Sequence, residues 1–187
     1  MSEAPENLLI AVSDTGPLIS IFQSDSLELV ATLFGQIHIS ETCEVELVNH
    51  GWAGAITRAG VTIISHKLTG SEAAQAGDIA RRIAAHPSSK NPEPDVHRGE
   101  AEVMVLVQRP EFADSVLLLD ELTARAVAME LNLRVSGFAG VLLLAVDEAL
   151  LTADDVKQRL KRCQQQGTHY SSAFIERIYQ AAKEGES

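Results

Sequence analysis

The sequence predicts a single α/β domain, in which a mostly parallel β-sheet of about five strands lies between helices in a three-layer arrangement. Short apolar runs alternate with longer segments whose apolar residues recur every three or four positions, as in βαβ units. The chain has 187 residues, 45% of them hydrophobic, which suits one compact core. We expect one domain over residues 1–187, with a core at about 8–150 and C-terminal helices at 152–184 packed on it.

Each predicted strand is a short apolar run bounded by turn or helix signals. The strands are predicted at residues 8–13, 36–39, 61–65, 115–119 and 134–136. Helices are predicted from Pro17, which suits a first helical position, from Ser26 to Phe34, over Glu41–Asn49, from Thr69 to about His86, over residues 99–107, 121–131 and 141–149, from Thr152 to Gly167, and from about Ser171. The proline-rich residues 87–95 are predicted to form a loop.

Composition excludes several classes of protein. A net charge of −11 disfavours broad electrostatic binding to nucleic acid, although clustered acids can hold a metal that supplies local positive charge. Aromatic residues make up 4% of the chain, too few for an extended base-stacking platform. No apolar run is long enough for a membrane helix, and Met1–Asn7 has no basic residue, so neither a membrane anchor nor a secretory signal is expected.

The two cysteines, Cys43 and Cys163, are far apart and belong to no metal-binding pattern. We expect both to be buried thiols rather than a disulfide or a metal site. A reducing, cytoplasmic location fits this expectation.

Two aspartates stand directly after apolar strands. Asp14 follows LLIAVS, and Asp120 follows SVLLL. Ligands of parallel sheets bind at the carboxyl ends of strands, and unpaired carboxylates forced together generally hold a cation. Each aspartate has a simpler alternative role as the N-cap of the helix that follows it.

Two glutamates are further candidates. Glu46 lies in ETCEVELV and Glu100 in HRGEAEVMV. Residues two apart on a helix do not share a face, so at most one of Glu44 and Glu46 points into a site, and a shift of one turn would favour Glu44. Glu100 begins a helix after a loop, where phosphate could approach. The alternative for each glutamate is a solvated helix charge.

Other motifs indicate no further chemistry. Glu121 and Arg125 have the spacing of a surface ion pair. Gly137 and Gly140 are expected to allow close helix packing. The histidines lack zinc spacing, and there is no phosphate-binding glycine loop or nucleophile elbow.

Four segments in order resemble the PIN-domain nucleases, in particular short prokaryotic members often paired with antitoxins. They are VSDTGPLI, LFGQIHISETCEVELV, RGEAEVMVLV and LLLDELTARAVAMELNLRVSGFAGVLLLA. The resemblance implies that Asp14, Glu46, Glu100 and Asp120 are the catalytic, metal-binding acids. Phe138 departs from the family, which often has a small hydroxyl residue there, and residues 50–96 match it poorly.

The resemblance implies Mg²⁺ or Mn²⁺, cleavage of RNA phosphodiester bonds, a homodimer and an antitoxin partner. Thr15 is expected to orient a metal-bound water. The apolar stretch at residues 73–85 and the last helix also suggest an association surface. A PIN-like module that binds RNA or protein without turnover is the rival interpretation, and a receiver domain is disfavoured because no lysine lies between Lys90 and Lys157.

Overall fold

A computed structural model describes residues 9–186, apart from the Val61 side chain. The absence of a secretory signal, predicted from Met1–Asn7, concerns residues outside this range. Leu8, the predicted start of the first strand, also lies outside it.

The strands within residues 9–186 form one five-stranded sheet in the order β3-β2-β1-β4-β5. Every neighbouring pair is parallel. The strands are β1 (Ala11–Ser13), β2 (Ile37–Ser40), β3 (Ile63–His66), β4 (Val116–Leu118) and β5 (Val135–Ser136). The predicted α/β fold with a parallel sheet of about five strands is confirmed.

The sheet reverses its direction of growth next to β1. From β1 the chain adds β2 and β3 on one side, then crosses back to add β4 and β5 on the other. Open α/β sheets bind ligands outside the carboxyl ends of the strands at such a reversal. The backbone N–H of Asp14 donates to the carbonyl of Leu118 at 3.0 Å, so the ends of β1 and β4 lie side by side.

Helices connect and flank these strands. Within the described range they are α1 (Thr15–Gln23), α2 (Leu27–Phe34), α3 (Glu41–Asn49), α4 (Ala53–Ala59), α5 (Gly70–Ala85), α6 (Arg98–Leu106), α7 (Leu122–Glu130), α8 (Phe138–Asp147), α9 (Ala153–Gln165) and α10 (Ser172–Gly185). The short helix α4 was not predicted, because its sequence AGAITRA has no strong apolar stripe and buries only Ala55 and Ala59.

Two predicted helix starts were wrong. Helix α1 begins at Thr15, and Pro17 occupies its first turn, where a backbone N–H has no intrahelical partner to lose. Helix α8 begins at Phe138 rather than at residue 141. Its buried side chains start with Phe138 itself, so the apolar run begins immediately after Gly137, the N-cap of the helix.

The apolar faces that suggested an association surface are covered within the chain. Ile79 and Ile83 of α5 are buried, as is Ile175 of α10. Ile178 and Tyr179 are partly buried against the same core. The homodimer stays a prediction, without support from these faces.

Two sequence expectations concern the chain's thiols and membrane contact. Cys43 and Cys163 are both buried and free, so the expectation of buried thiols is confirmed. Within residues 9–186, no helix is long and apolar enough to cross a membrane.

Candidate functional site

Asp14 links strand β1 to helix α1. It is the N-cap of α1, with its Oδ2 accepting from the backbone N–H of Gly16 at 3.4 Å. Its Oδ1 accepts from the Cys43 thiol of α3 at 3.6 Å. Burial, followed by the nearby Glu46 charge, raises the pKa of Asp14 to about 6. The capping role and a place in an acidic site are therefore compatible.

Glu46 is the α3 glutamate that faces Asp14. Thr15 Oγ1 donates to Glu46 Oε2 at 2.6 Å. A Cβ atom built on Gly99 would lie 3.2 Å from Asp14 Oδ1 and 3.3 Å from each Glu46 carboxylate oxygen. Glu46, rather than Glu44, thus converges with Asp14 on a space that the missing side chain of Gly99 leaves open.

Glu100 is in the first turn of α6, directly after Gly99. Burial is the largest cause that raises the pKa of Glu100 to about 8, and the charges of Asp14, Glu46 and Glu121 raise it further. The carboxyl group therefore lies in the electrostatic field of the other acids and resists ionisation.

Asp120 does not cap α7, in contrast to the alternative considered from sequence. Glu121 takes that role, accepting from the Ala124 N–H at 2.5 Å. Asp120 Oδ1 accepts from the Phe138 N–H at 2.9 Å, and its Oδ2 accepts from the Tyr170 hydroxyl at 3.2 Å. Its side chain therefore holds the start of α8 and a residue from the C-terminal part of the chain.

The environment of Asp120 shifts its pKa in opposing directions. Burial raises the pKa, while the hydrogen bonds from Phe138 and Tyr170 and the Arg125 charge lower it, with a net rise. A Cβ built on Gly16 would lie 3.8 Å from both Asp120 Cβ and Asp14 Oδ2. The two strand-end acids therefore both lie beside Gly16.

The predicted surface ion pair between Glu121 and Arg125 was wrong. Arg125 Nη1 instead donates to the Leu119 carbonyl at 3.3 Å. A Cβ on Gly137 would lie only 2.6 Å from both Arg125 Nη1 and Asp120 Oδ1. We predicted that Gly137 would allow close helix packing; the groups that approach it are instead the Asp120 and Arg125 side chains of the site.

The donor chemistry of the site fits a hard divalent cation. Among residues 9–186, no three His, Cys, Asp or Glu side chains already stand where together they could hold a metal ion. Asp14, Glu46, Glu100 and Asp120 nevertheless offer the carboxylate oxygens that Mg²⁺ and Mn²⁺ prefer. Burial and repulsion between carboxylates oppose the ionisation of Asp14 and Glu100, and a cation would offset both effects. Binding would have to draw the acids closer together.

Three contributors were missed from sequence. Cys43 touches Asp14, and Gly99 provides space beside Asp14 and Glu46. Tyr170 reaches Asp120 from the connection between α9 and α10, and its hydroxyl also lies 3.0 Å from Ser20 Oγ. No local motif marks Tyr170, whereas the glycine of the RGE sequence was a detectable signal for Gly99.

Comparison with protein families matches residues 10–184 to the PIN domain. The match includes the four acids and Tyr170. Neither curated proteins nor solved structures gave a match. PIN domains are typically nucleases and typically use divalent metals. The chain belongs to the PIN domain family.

Proposed function

We propose that this protein is a divalent-metal-dependent endoribonuclease that hydrolyses RNA phosphodiester bonds. Asp14, Glu46, Glu100 and Asp120 would hold Mg²⁺ or Mn²⁺. The observation that supports this most is the grouping of these acids in two contacts: the charges of Asp14 and Glu46 act on Glu100, and Asp14 and Asp120 lie beside Gly16 at the ends of β1 and β4. Burial raises the pKa of Asp14, Glu100 and Asp120.

The neighbouring groups of the chain would orient the acids. Thr15 fixes one oxygen of Glu46 through its 2.6 Å hydrogen bond, which suits a supporting role for its hydroxyl. Phe138 and Tyr170 donate to different oxygens of Asp120 and so restrict its rotation. A bound divalent cation would supply positive charge toward the scissile phosphate and make a water molecule more acidic.

Water, rather than a side chain, is the proposed nucleophile. Cys43 is the nucleophilic side chain that contacts Asp14. Burial, followed by the Asp14 charge, raises the pKa of its thiol well above the ordinary value. The protonated thiol is a poor nucleophile, so its role is to donate to Asp14.

The biological setting is also a proposal. The order of motifs supports a toxin of a toxin–antitoxin pair, with an antitoxin protein and a second copy of the chain as partners in the cytoplasm. A second candidate function is a PIN module that binds RNA or protein without turnover. It is favoured by the finding that, in the described part of the chain, no three potential ligands are already assembled.

The test is metal-dependent cleavage by the wild type and by Asp120→Asn. Asparagine keeps an oxygen that can accept from the Phe138 N–H, so the fold should survive while a negative charge is lost. We expect cleavage of labelled single-stranded and hairpin RNA with Mn²⁺ to fall at least about 100-fold, since metal activation contributes several kcal/mol. Asp154→Asn, which alters an exposed acid on α9, should cleave at the wild-type rate.

Melting temperatures in EDTA separate a lost ligand from a lost fold. If Asp120→Asn melts like the wild type and still cleaves normally, Asp120 is only a structural acceptor. If the wild type binds RNA but never cleaves it with Mg²⁺ or Mn²⁺, the non-catalytic function replaces the nuclease.

A further inference from the structure

A cleft of about 660 Å³ opens beside the acidic site. Asp120 and Gly16 line it on the side of the acids, and Tyr170 lines it from the C-terminal part of the chain. Of the four acids, Asp120 is the one that lines the cleft. The cleft is therefore next to the acidic site on the side of Asp120.

The walls combine apolar surface with hydroxyl groups. Ile19, Leu122 and the ring of Tyr170 provide the apolar part, and Thr123 and Thr168 are among the polar lining residues. Leu122 is 79% exposed, although it lies at the start of a helix whose other apolar residues are mostly buried. Thr123 already donates to the Ser88 carbonyl and Thr168 to Gln23 Oε1, so both hydroxyls can serve a ligand as acceptors. An apolar wall beside hydroxyl acceptors suits a ring that also carries hydrogen-bond donors.

The rim carries a lysine, whose charge complements a phosphate. Lys90, from the loop before α6, and His169, next to Tyr170, both line the cleft. Among the described residues, no carboxylate pairs with Lys90. Asp120 and Glu121 are the acidic side chains of the lining. Glu121 already accepts from the Ala124 N–H, and Asp120 from the Phe138 N–H and the Tyr170 hydroxyl. In a chain with a net charge of −11, Lys90 is a local source of positive charge beside these acids.

We propose that the cleft binds the nucleoside next to the scissile phosphate of a single-stranded RNA. Its base packs on Leu122 and Tyr170, and the following phosphate contacts Lys90 and His169. This inference rests on the proposed function, because the acids fix where the scissile phosphate lies.

A single strand is the form of RNA that can present a base to such a cleft. Bases of a duplex are stacked and paired, whereas unpaired bases can be splayed out and packed against side chains. The cleft volume is in the range of a small-molecule site and does not offer an extended groove. Two residues of the poorly matching segment, Ser88 and Lys90, belong to this surface.

The first experiment measures RNA binding by fluorescence anisotropy in the Asp14→Asn background, which removes a proposed metal ligand and prevents turnover. Asp14 does not line the cleft. Lys90→Ala should weaken binding of a single-stranded RNA and lower the magnitude of the slope of log affinity against log salt by about 0.7, the value for one phosphate contact. Leu122→Ser should weaken binding about fivefold without changing that slope.

Matched controls stand on exposed positions outside the cleft. Lys161→Ala removes an exposed lysine of α9, and Met129→Ser removes an apolar side chain, 64% exposed, from the same helix as Leu122. Both controls should bind RNA like the parent protein. All four changes are at exposed residues, so folding should persist, and a melting curve for each variant checks this.

The second experiment determines which nucleotide of the RNA has its base in the cleft. Single-stranded RNAs carrying one abasic nucleotide at successive positions should show one position where binding falls roughly tenfold, adjacent to the bond that the wild type cleaves. Equal binding by all abasic RNAs, or equal effects of Leu122→Ser and Met129→Ser, would overturn the proposal.

Failure of this proposal is distinguishable from failure of the nuclease. Cleavage by the wild type with no effect of the cleft variants rejects the cleft alone. Binding that depends on Lys90 and Leu122, without cleavage, rejects the nuclease and keeps the cleft. Binding of a protein partner that Leu122→Ser abolishes, with RNA binding unchanged, assigns the surface to that partner and rejects our inference.

Discussion

The hydroxyl of Tyr170 lies 3.2 Å from Oδ2 of Asp120, although 50 positions separate the two residues in sequence. Burial, followed by the Asp120 charge, raises the pKa of Tyr170 far above the ordinary value. The phenol therefore stays protonated and remains a donor to the carboxylate. Tyr170 is a positioning residue for Asp120.

Tyr170→Phe should keep the ring and lose this hydrogen bond. We expect about 1 kcal/mol of lost stability, typical of one hydrogen bond. We also expect weaker Mn²⁺ binding, measured as a smaller rise in melting temperature on metal titration. Tyr179→Phe is the matched control, since Tyr179 packs over Lys157 rather than at the acids, and its metal response should equal that of the wild type. Equal metal responses for the two variants would show that the Tyr170 hydroxyl does not position Asp120.

The raised pKa values of the acids predict that, in EDTA, the stability of the fold decreases as the pH rises. Folding raises the pKa of Asp14 to about 6 and that of Glu100 to about 8, above their values in the unfolded chain. The folded state therefore binds more protons than the unfolded state between about pH 4 and pH 8. Their contribution to stability is present at low pH and is lost as the pH rises through this window.

Glu100→Gln should remove part of the stability loss that occurs as the pH rises. At pH 8 in EDTA we expect the variant to be more stable than the wild type by on the order of 2 kcal/mol, with the difference vanishing near pH 4. Denaturant unfolding at several pH values measures it. Added Mn²⁺ should reverse the order, because the wild type gains a ligand interaction that the variant lacks. A difference that is constant with pH would contradict a buried, repelled carboxyl group.

Two histidines also make stability depend on pH, in the opposite direction, and comparing the wild type with Glu100→Gln cancels their effect. His38 and His66 lie 2.8 Å apart between ring nitrogens, and burial is the main cause that lowers the pKa of each, with Arg109 also acting on His66. Lowered pKa values of histidines give stability that is present above about pH 6.5 and is lost as the pH falls below it. This contribution is the same in the wild type and in Glu100→Gln.

Gly137→Ala should disturb the site, because the added methyl group clashes with neighbouring side chains. The added Cβ would lie 2.6 Å from both Asp120 Oδ1 and Arg125 Nη1, so at least one of them must move. We expect a loss of about 1–3 kcal/mol in stability, as for overpacked sites, together with reduced cleavage. Gly70→Ala is the control, because nothing lies within 4 Å of its Cβ, and it should be neutral or slightly stabilising. Similar unfolding curves for the two alanine variants would contradict the crowding around Gly137.

Much of the fold was accessible from local patterns. Apolar runs such as SVLLL identified the strands, and capping residues such as Thr69 located helix starts, where the structure has a full capping box. Helix α4 was not predicted because the segment Ala53–Ala59 carries little apolar periodicity. The start of α1 was misplaced because proline is tolerated throughout a first helical turn, so Pro17 did not mark the first position.

The candidate site was predictable only to the level of its acids. Asp14 and Asp120 follow from their places after strands, and the choice of Glu46 over Glu44 needed the helix orientation that the structure provides. The partners of Asp120 depend on tertiary contacts with Phe138 and Tyr170, which no spacing in the sequence encodes. The catalytic roles of the four acids stay predictions until the variants are assayed.

The contact between Tyr170 and Asp120 has a consequence for synthesis of the protein. The four acids have all left the ribosome's catalytic centre well before residue 170 is added. A nascent or truncated chain that ends within α9 would carry every acid but not the hydroxyl that holds Asp120. Full assembly of the candidate site is therefore delayed until translation has passed α9, which would limit the proposed RNA cleavage by unfinished chains while they are still attached to their own message.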